Sequence, residues 1–222
     1  MFSAIILAAG LGSRMNNIKK QFCEINGKII IEFSVETFLK AGASEIVIAV
    51  NSSRLDNMQS FFKTNSKVKL VAGGKTRQHS AENAFLVCSK TNSLVLIHDA
   101  ARPFVQVEAV KKLIETARKT KAATLASFAT DTIKLVKDQK VQKTLNREEI
   151  ALIQTPQAFD MQLYQRAIDF SKKNSKTFTD DCQLVEKLGV PVAVVENSKL
   201  NFKITNPLDL ELATLLASKF KF

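Results

Sequence analysis

The chain has 222 residues, of which 45% are hydrophobic and 24% are charged, and its formal net charge is +11. This composition is typical of one globular domain, and the longest apolar runs are too short for a membrane span. The N-terminal apolar stretch has no basic region before it, so no secretory signal is expected, and three widely spaced cysteines fit a reducing compartment. We therefore expect a cytoplasmic protein with no membrane partner.

The positive charge is dispersed rather than concentrated. Of the 32 basic residues, 25 are lysines scattered along the chain. Such lysines are typical of solvated helix faces, and without tryptophan and with one tyrosine the chain has few side chains for stacking on bases. A nucleic-acid-binding module is therefore a disfavoured alternative, whereas a polyanionic small molecule such as a nucleotide fits the charge.

The first predicted element is a buried strand at residues 5–7, which breaks at small residues. The loop after it contains Gly10, Gly12, Arg14 and Lys20. Small residues let backbone N–H groups approach an anion, and the two cations can neutralise phosphate charge. The spacing fits neither a dinucleotide fingerprint nor a Walker loop. The loop alone predicts either a phosphate site or an ordinary turn between a strand and a helix.

Short aliphatic strands then alternate with helical patterns. This alternation predicts an α/β fold with a mostly parallel sheet and helices on both faces, whose ligands bind beyond the carboxyl ends of the strands. Apolar helix faces are predicted at 107–117 and 208–220, and Asp180 is predicted to cap a helix that runs to Leu188. The other predicted strands are 46–50, 68–71, 94–97, 122–126 and 192–195.

A glycine pair precedes one of these helices. Gly73 and Gly74 end a strand, and Arg77 and Ser80 lie on the rim of the loop that follows. This arrangement predicts a second set of backbone N–H groups that can face an anion. His79 in the same stretch has no ligand partner at metal-binding spacing, so a structural role is favoured for it.

The segment after strand 94–97 carries further candidates. Asp99 lies at the strand end where sites form, and a carboxylate that faces a phosphate loop can anchor Mg²⁺. Arg102 suits an anionic substrate because its planar guanidinium matches phosphate oxygens. The structural alternative is that Asp99 caps a turn and Arg102 is a surface charge. A structural or supporting role is also favoured for His98.

Residues 130–154 depart from the alternation of strands and helices. Polar and apolar residues alternate around Leu135 and Val136, and a turn is predicted at 137–139, which indicates a hairpin that leaves the sheet. A two-stranded arm is marginally stable by itself. We therefore expect it to pack either on a second subunit or on an edge of the same monomer.

Eight motifs occur in an order that resembles one enzyme family. They are L-A-A-G-L-G-S-R-M with K-K-Q-F, G-G-K-T-R-Q-H-S, H-D-A-A-R-P-F, T-D-T, N-R, Q-T-P-Q-A-F, F-T-D-D and N-F-K-I-T. Together, over about residues 3–215, they closely resemble the 2-C-methyl-D-erythritol 4-phosphate cytidylyltransferases of the non-mevalonate isoprenoid pathway.

The resemblance implies a fold, a reaction and an assembly. The fold is a Rossmann-like nucleotidyltransferase fold with a protruding β-hairpin arm, in a single domain over residues 1–222. The reaction transfers CMP from CTP to 2-C-methyl-D-erythritol 4-phosphate, with Mg²⁺ or another divalent cation, and releases pyrophosphate. The assembly is a homodimer interlocked by the arm at about 130–154.

The resemblance also implies a role for each matching residue. Arg14 and Lys20 stabilise the charge on the pentavalent phosphorus, Arg147 and Lys203 orient the attacking phosphate, and Asp99 holds the metal. The implied nucleotide-binding residues are Ala8, Ala9, Gly10, Leu11, Gly12, Gly74, Arg77, Ser80, Asp99 and Ala100. The implied substrate-binding residues are Arg102, Thr132, Arg147, Thr179 and Lys203, of which Thr132 and Arg147 reach the neighbouring subunit's site.

Two positions depart from the family pattern. Some relatives carry a second aspartate just before the N-x-K-x-T stretch, but residues 197–200 here contain no carboxylate. Lys75 stands where relatives often have an acidic residue after the glycine pair. These differences put a second protein ligand to the metal and the ribose contact in question.

Two other transferases share parts of this pattern. Ribitol-5-phosphate cytidylyltransferases have the same fold and chemistry, but they tend to show A-G-G in the first loop and H-D-S-V-R-P after the metal-binding strand. The segments A-A-G at 8–10 and H-D-A-A-R at 98–102 favour the methylerythritol enzyme. A nucleotidyltransferase that uses GTP or UTP is a further alternative.

Overall fold

The computed structural model describes residues 1–10 and 23–219. Its strands and helices alternate as the sequence predicts. In chain order they are β1 (Phe2–Ala8), β2 (Glu24–Ile25), β3 (Lys28–Ile29), α1 (Ile30–Lys40), β4 (Glu45–Val50), α2 (Leu55–Phe62), β5 (Val68–Ala72), α3 (Arg77–Leu86), β6 (Leu94–Asp99), α4 (Val107–Thr120), β7 (Ala122–Phe128), β8 (Lys134–Lys137), β9 (Lys140–Thr144), β10 (Ala151–Asp160), α5 (Met161–Asn174), α6 (Asp181–Glu186), β11 (Ala193–Glu196) and α7 (Pro207–Lys219).

The main sheet has seven strands in the order β11-β7-β10-β6-β1-β4-β5. The central strand β1 pairs in parallel with β4 and β6, and β4–β5 and β7–β11 are also parallel. Only β10, among the seven, runs antiparallel to both of its neighbours. The predicted mostly parallel sheet is confirmed. The carboxyl ends of β1 and β6 therefore lie side by side, with Leu7 opposite Asp99.

Helices cover both faces of this sheet. Successive strand residues point to opposite faces, so Ile5 and Val47 pack on the side of α3, α5 and α6, whereas Ile6 and Ile48 pack on the side of α1, α2 and α4. Each of these four side chains is fully buried. Burial of one such side chain contributes roughly 1.5–3 kcal/mol, so the two layers hold the strand ends in fixed positions.

The predicted hairpin is present as a separate two-stranded sheet of β8 and β9. Its turn residues Asp138 and Gln139 have φ angles of +49° and +60°, as expected for a tight two-residue hairpin turn. Every residue of both strands is exposed. The excursion is shorter than predicted, because residues 151–154 already belong to β10, where Ala151 pairs with Phe128.

The C-terminal helix begins at Pro207, and the Asn206 side chain accepts the N–H of Asp209 at 2.9 Å, as a helix cap does. Its predicted apolar face is mostly exposed, although Leu216 is partly buried against the core, and Phe220 lies outside the described residues. Leu208 is 71% exposed, and Leu212 and Leu215 are also exposed, whereas Ala213 is buried. No helix in the described ranges is long and apolar enough to cross a membrane.

Candidate active site

Three segments that are distant in sequence meet at the carboxyl end of β6. Asp99, the last residue of β6, accepts a hydrogen bond from Arg77 Nε on Oδ1 at 3.0 Å. Its second oxygen, Oδ2, accepts one from Lys203 Nζ at 2.6 Å. Arg77 begins α3, and Lys203 lies in the loop before α7. The fold thus brings together three of the site residues implied by the family motifs, and we name them the Asp99 cluster.

The charges of this cluster fix its protonation. Burial by itself would raise the pKa of Asp99, but the positive charges of Arg77, Lys203 and Arg102 hold that pKa well below its usual range. Burial would lower the pKa of Arg77, and the carboxylates of Asp181 and Asp99 more than reverse this effect. Asp99 is therefore an anion between cations at neutral pH, as a ligand for a phosphate-bound cation must be.

Arg77 has a second anionic partner, which is not among the predicted site residues. Its Nη1 donates to Asp181 Oδ2 at 2.6 Å, and Tyr164 Oη donates to the other oxygen of Asp181 at 2.6 Å. Asp181 is the first residue of α6 and is only 2% exposed. The F-T-D-D motif contains this residue, whereas nothing in the sequence pattern singles out Tyr164.

A chain of hydrogen bonds lies behind Asp99. The backbone N–H of Asp99 donates to Thr155 Oγ at 3.0 Å, and that hydroxyl is 3.1 Å from His98 Nδ1. His98 Nε2 lies 3.0 Å from the carbonyl oxygen of Arg102. Since that oxygen can only accept, the imidazole carries its proton on Nε2 and accepts the Thr155 proton on Nδ1. These contacts agree with the structural role that the sequence favours for His98.

Arg102 lies beside the loop that carries Lys203. Its Nη1 donates to the carbonyl oxygen of Asn201 at 2.8 Å, and the Asn201 amide donates to Gln154 and Thr155. The Nε of Arg102 is buried and has no hydrogen-bond partner among the described residues. Arg102 is therefore a half-buried cation held at the site edge rather than a freely solvated surface charge.

The glycine pair lies next to Ala9, just beyond the end of β1. A Cβ on Gly73 would overlap the Cβ of Ala9, and one on Gly74 would overlap His79. The Ser80 hydroxyl accepts the N–H of Gly74 at 3.0 Å. Ala8 ends β1, and the N–H of Ala100 donates to Leu7 at 3.1 Å. Ala8, Ala9, Gly74, Ser80 and Ala100 therefore share one edge of the sheet with Asp99, as implied.

The remaining predicted site residues either lie outside the described residues or are exposed. Leu11, Gly12, Arg14 and Lys20 lie outside the described residues, and Gly10 is exposed at the end of the first described range. Thr179 is exposed, and both its N–H and its hydroxyl donate to Gln183 Oε1.

Thr132 and Arg147 lie on the exposed arm. Arg147 Nη1 donates to the carbonyl oxygen of Thr130 at 2.9 Å and lines an open pocket of about 490 Å³ at the base of the arm. Within the described ranges, no hydrogen bond or ion pair links Thr132 or Arg147 to the Asp99 cluster. Lys199, four residues before Lys203, donates to the Thr130 hydroxyl at 2.7 Å.

Asp99 could bind a divalent cation together with the phosphates of a substrate. Mg²⁺ is commonly held by one or two carboxylates together with substrate phosphates and water. Within residues 1–10 and 23–219, no group of three or more metal-ligating side chains exists. Each oxygen of Asp99 accepts one hydrogen bond from a cationic side chain and has a second lone pair, so a metal ion there would share the carboxylate with Arg77 and Lys203. The donor set fits a cation brought in with a triphosphate rather than a site filled by the protein alone.

Comparison with known proteins identifies one enzyme family. The family model IspD, 2-C-methyl-D-erythritol 4-phosphate cytidylyltransferase, matches residues 2–219. The enzyme of that name from Halalkalibacterium halodurans is 41% identical over 224 residues, which cover 98% of each chain. The one from Clostridioides difficile is 39% identical over 222 residues, covering 96% of this chain and 92% of the relative.

Solved structures of enzymes from this family have the same fold. The crystal structure of 4-diphosphocytidyl-2C-methyl-D-erythritol synthase from Anaerococcus prevotii matches with a TM-score of 0.88 and 31% identity, over 98% of both chains. The 2-C-methyl-D-erythritol 4-phosphate cytidylyltransferase of Francisella tularensis matches with a TM-score of 0.82 and 34% identity, over 96% of this chain and 98% of that one. By sequence, by fold and by the motifs that meet at Asp99, the chain belongs to the 2-C-methyl-D-erythritol 4-phosphate cytidylyltransferase family.

Proposed function

We propose that this protein transfers CMP from CTP to 2-C-methyl-D-erythritol 4-phosphate and releases pyrophosphate. The observation that carries the proposal is the Asp99 cluster, in which motifs from three parts of the chain contact one another at the carboxyl end of β6. Family membership supports the same reaction and does not favour ribitol 5-phosphate as the acceptor.

The reaction is a direct displacement at phosphorus. An oxygen of the acceptor phosphate forms a bond to the α-phosphorus of CTP, and the bond from that phosphorus to the bridging oxygen of pyrophosphate breaks. Since no covalent enzyme intermediate is needed, catalysis depends on positioning and charge neutralisation. Lys203 and Arg147 orient the acceptor phosphate in this proposal, and Arg14 and Lys20 neutralise charge on the pentavalent phosphorus.

The nucleotide lies along the edge formed by the first loop and the glycine pair. Ala8 to Gly12, Gly74, Arg77 and Ser80 surround it, and Arg102 and Thr179 face the acceptor. A divalent cation held by Asp99 would supply positive charge to the triphosphate. Before substrates bind, Arg77 and Lys203 balance the Asp99 carboxylate, so the buried anion is never left without a partner.

The arm is proposed to complete the site of a second copy of this chain. A hairpin with every strand residue exposed gains little stability within its own protomer. Leu135, Val136 and Val141 on it are all more than half exposed. Packing against a partner would cover them and bring Thr132 and Arg147 to the neighbouring acceptor site. In this proposal, residues 1–222 form one cytidylyltransferase domain with a dimerisation arm.

The test is pyrophosphate release by the purified protein with CTP, Mg²⁺ and one acceptor at a time. We expect release with 2-C-methyl-D-erythritol 4-phosphate, and none with ribitol 5-phosphate or without an acceptor. Pyrophosphate release with ribitol 5-phosphate alone would show that the acceptor is a polyol phosphate of that kind. No release with either acceptor would refute the proposal. Replacing CTP by GTP or UTP in the same assay tests the choice of nucleotide.

A further inference from the structure

We infer that Asp181 and Tyr164 are positioning residues of the nucleotide site, which hold the Arg77 guanidinium in the orientation that CTP requires. Arg77 uses two separate N–H groups toward two carboxylates, Nε toward Asp99 at 3.0 Å and Nη1 toward Asp181 at 2.6 Å. Because the guanidinium is planar and rigid, two such contacts on different elements permit a single orientation. The inference rests on the proposed function, since it assigns Arg77 to the CTP side of the site.

Asp181 is itself held from three directions. Its Oδ1 accepts the Tyr164 hydroxyl of α5 at 2.6 Å, and its backbone N–H donates to Gln157 Oε1 of β10 at 3.1 Å. The Asp180 side chain caps α6 at the same point. Contacts from α5, α6 and β10 thus hold the Asp181 carboxylate in place without substrate. Because Arg77 donates to this carboxylate, the same contacts also restrict the Arg77 side chain.

The burial of this carboxylate also points to such a role. Asp181 is 2% exposed and Tyr164 is fully buried, whereas the Arg77 side chain is 27% exposed and reaches the site edge. A buried carboxylate is unfavourable unless a cation and hydrogen bonds compensate for its lost hydration. Here the compensating cation is Arg77, which the proposed function assigns to the nucleotide, so the buried anion and the partly exposed Arg77 side chain act as one unit.

Loss of Asp181 should affect the two substrates differently. Without it, Arg77 would keep Asp99 as its partner and would move toward that carboxylate, away from the position set by α6. Lys203 donates to Asp99 at 2.6 Å and is linked to Asp181 through Asp99 and Arg77 rather than directly, so the acceptor side should be disturbed less than the CTP side. A general loss of structure would instead weaken the binding of both substrates to the same extent.

The experiment measures CTP binding by isothermal titration calorimetry and the KM of each substrate for Asp181→Asn, which keeps the side-chain volume. We expect the Kd for CTP to rise at least about tenfold, as for the loss of a charge-assisted contact. The KM for 2-C-methyl-D-erythritol 4-phosphate should stay within about twofold of wild type, because Lys203 couples to Asp181 indirectly, through Asp99 and Arg77. Tyr164→Phe should raise the Kd for CTP by a smaller factor, because the Arg77–Asp181 ion pair remains.

Glu45→Gln is the matched control. Glu45 is also a buried carboxylate with a cationic partner, Lys69 at 2.7 Å, but it lies at the opposite end of the sheet, at the start of β4. This variant should lower the melting temperature and leave the Kd for CTP unchanged. It therefore separates the effect of a lost buried charge from the effect of a misplaced Arg77.

Two results would overturn the inference. One is a Kd for CTP in Asp181→Asn within about twofold of wild type, too small for a lost ionic contact. The other is an equal rise in the constants for both substrates. If Asp181→Asn does not fold, Tyr164→Phe decides by the same criteria. Wild-type pyrophosphate release, measured on the same preparation, tests the proposed function separately.

Discussion

The imidazole of His98 illustrates how contacts at one residue fix a protonation state. It is fully buried, it accepts from Thr155 on Nδ1, and it donates from Nε2 to the carbonyl oxygen of Arg102. A proton added to Nδ1 would face the hydroxyl that now donates to it. Burial is the main cause that lowers the pKa of His98 to about 4.

Stability should therefore depend on pH through His98. In the unfolded chain the imidazole binds a proton below about pH 6.5, whereas in the folded chain it does so only near pH 4. The contribution of neutral His98 to the free energy of unfolding is complete above pH 6.5. It falls by up to about 3 kcal/mol as the pH is lowered toward 4. Urea unfolding at several pH values in that interval measures it.

The variant His98→Gln serves as the control for this prediction. It lacks the titrating group, so its unfolding free energy should change less than that of wild type over the same pH interval. Equal pH dependence of the two proteins would show that another group is responsible.

The first loop carries the second residue-level prediction. Arg14→Ala and Lys20→Ala should each lower kcat by about a hundredfold or more while the affinity for CTP changes less, because charge on the pentavalent phosphorus develops only in the transition state. Steady-state kinetics with both substrates varied separates the two effects. An unchanged kcat in either variant would contradict the role proposed for that residue.

How much of the site the sequence could predict depends on the kind of contact. Motif order and glycine placement led to Asp99, Arg77 and Lys203, which the structure brings into contact. Tyr164 and Asp181 were missed because their importance comes from a meeting of α5 and α6 with α3, far apart along the chain. Periodicity predicts which face of a helix is apolar, but it does not show which polar groups that helix meets.

At the level of elements, strand β10 was the one main-sheet strand not predicted from its pattern. Proline lacks the N–H that a central strand needs, so Pro156 argues against a strand at this position. The structure accommodates it at an irregularity between Ile153 and Gln157, where the register with β7 shifts. The exposed leucines of α7 show a different limit, because an apolar face on a helix does not reveal what covers it.

The hairpin turn gives an element-level prediction. Gln139 has φ of +60°, a region that is unfavourable for side chains other than glycine, asparagine and aspartate. Gln139→Gly should stabilise the hairpin by roughly 0.5–1 kcal/mol, because glycine adopts this conformation without a steric penalty. Amide hydrogen exchange of β8 and β9 measures the change.

Glycine placed within a strand is the control for the turn. Gln142→Gly in β9 should weaken the hairpin and speed exchange of the same amides, because glycine disfavours the extended conformation. If Gln139→Gly also speeds exchange, the turn is not the strained part of the arm.

For the whole molecule, the proposed shared site predicts complementation between two inactive proteins. Arg147→Ala removes the arm residue, and Lys20→Ala removes a residue of the first loop. In a mixed dimer, one site receives both mutations and the other receives none. Co-refolded subunits should therefore regain about a quarter of wild-type activity if pairing is random, since half of the dimers are mixed and each has one intact site.

Each variant refolded alone is the control and should remain inactive. The fraction of mixed dimers is measured by native mass spectrometry, so that activity is expressed per mixed dimer. Mixed dimers without activity would show that Arg147 serves its own protomer.

The points where the arm leaves and re-enters the sheet have a topological consequence. Phe128 of β7 lies opposite Ala151 of β10, and the N–H of Ala129 donates to the carbonyl oxygen of Ile150 at 3.1 Å, so both ends of the arm lie side by side. The arm is thus an insertion into a connection between two adjacent antiparallel strands. We therefore expect that excising residues 131–149 and closing the gap with a tight turn would leave the strand order and the register of β7 with β10 unchanged. The sheet and the arm are therefore separable modules: without the arm the sheet would keep its strand order, and the proposed acceptor site would lose Thr132 and Arg147.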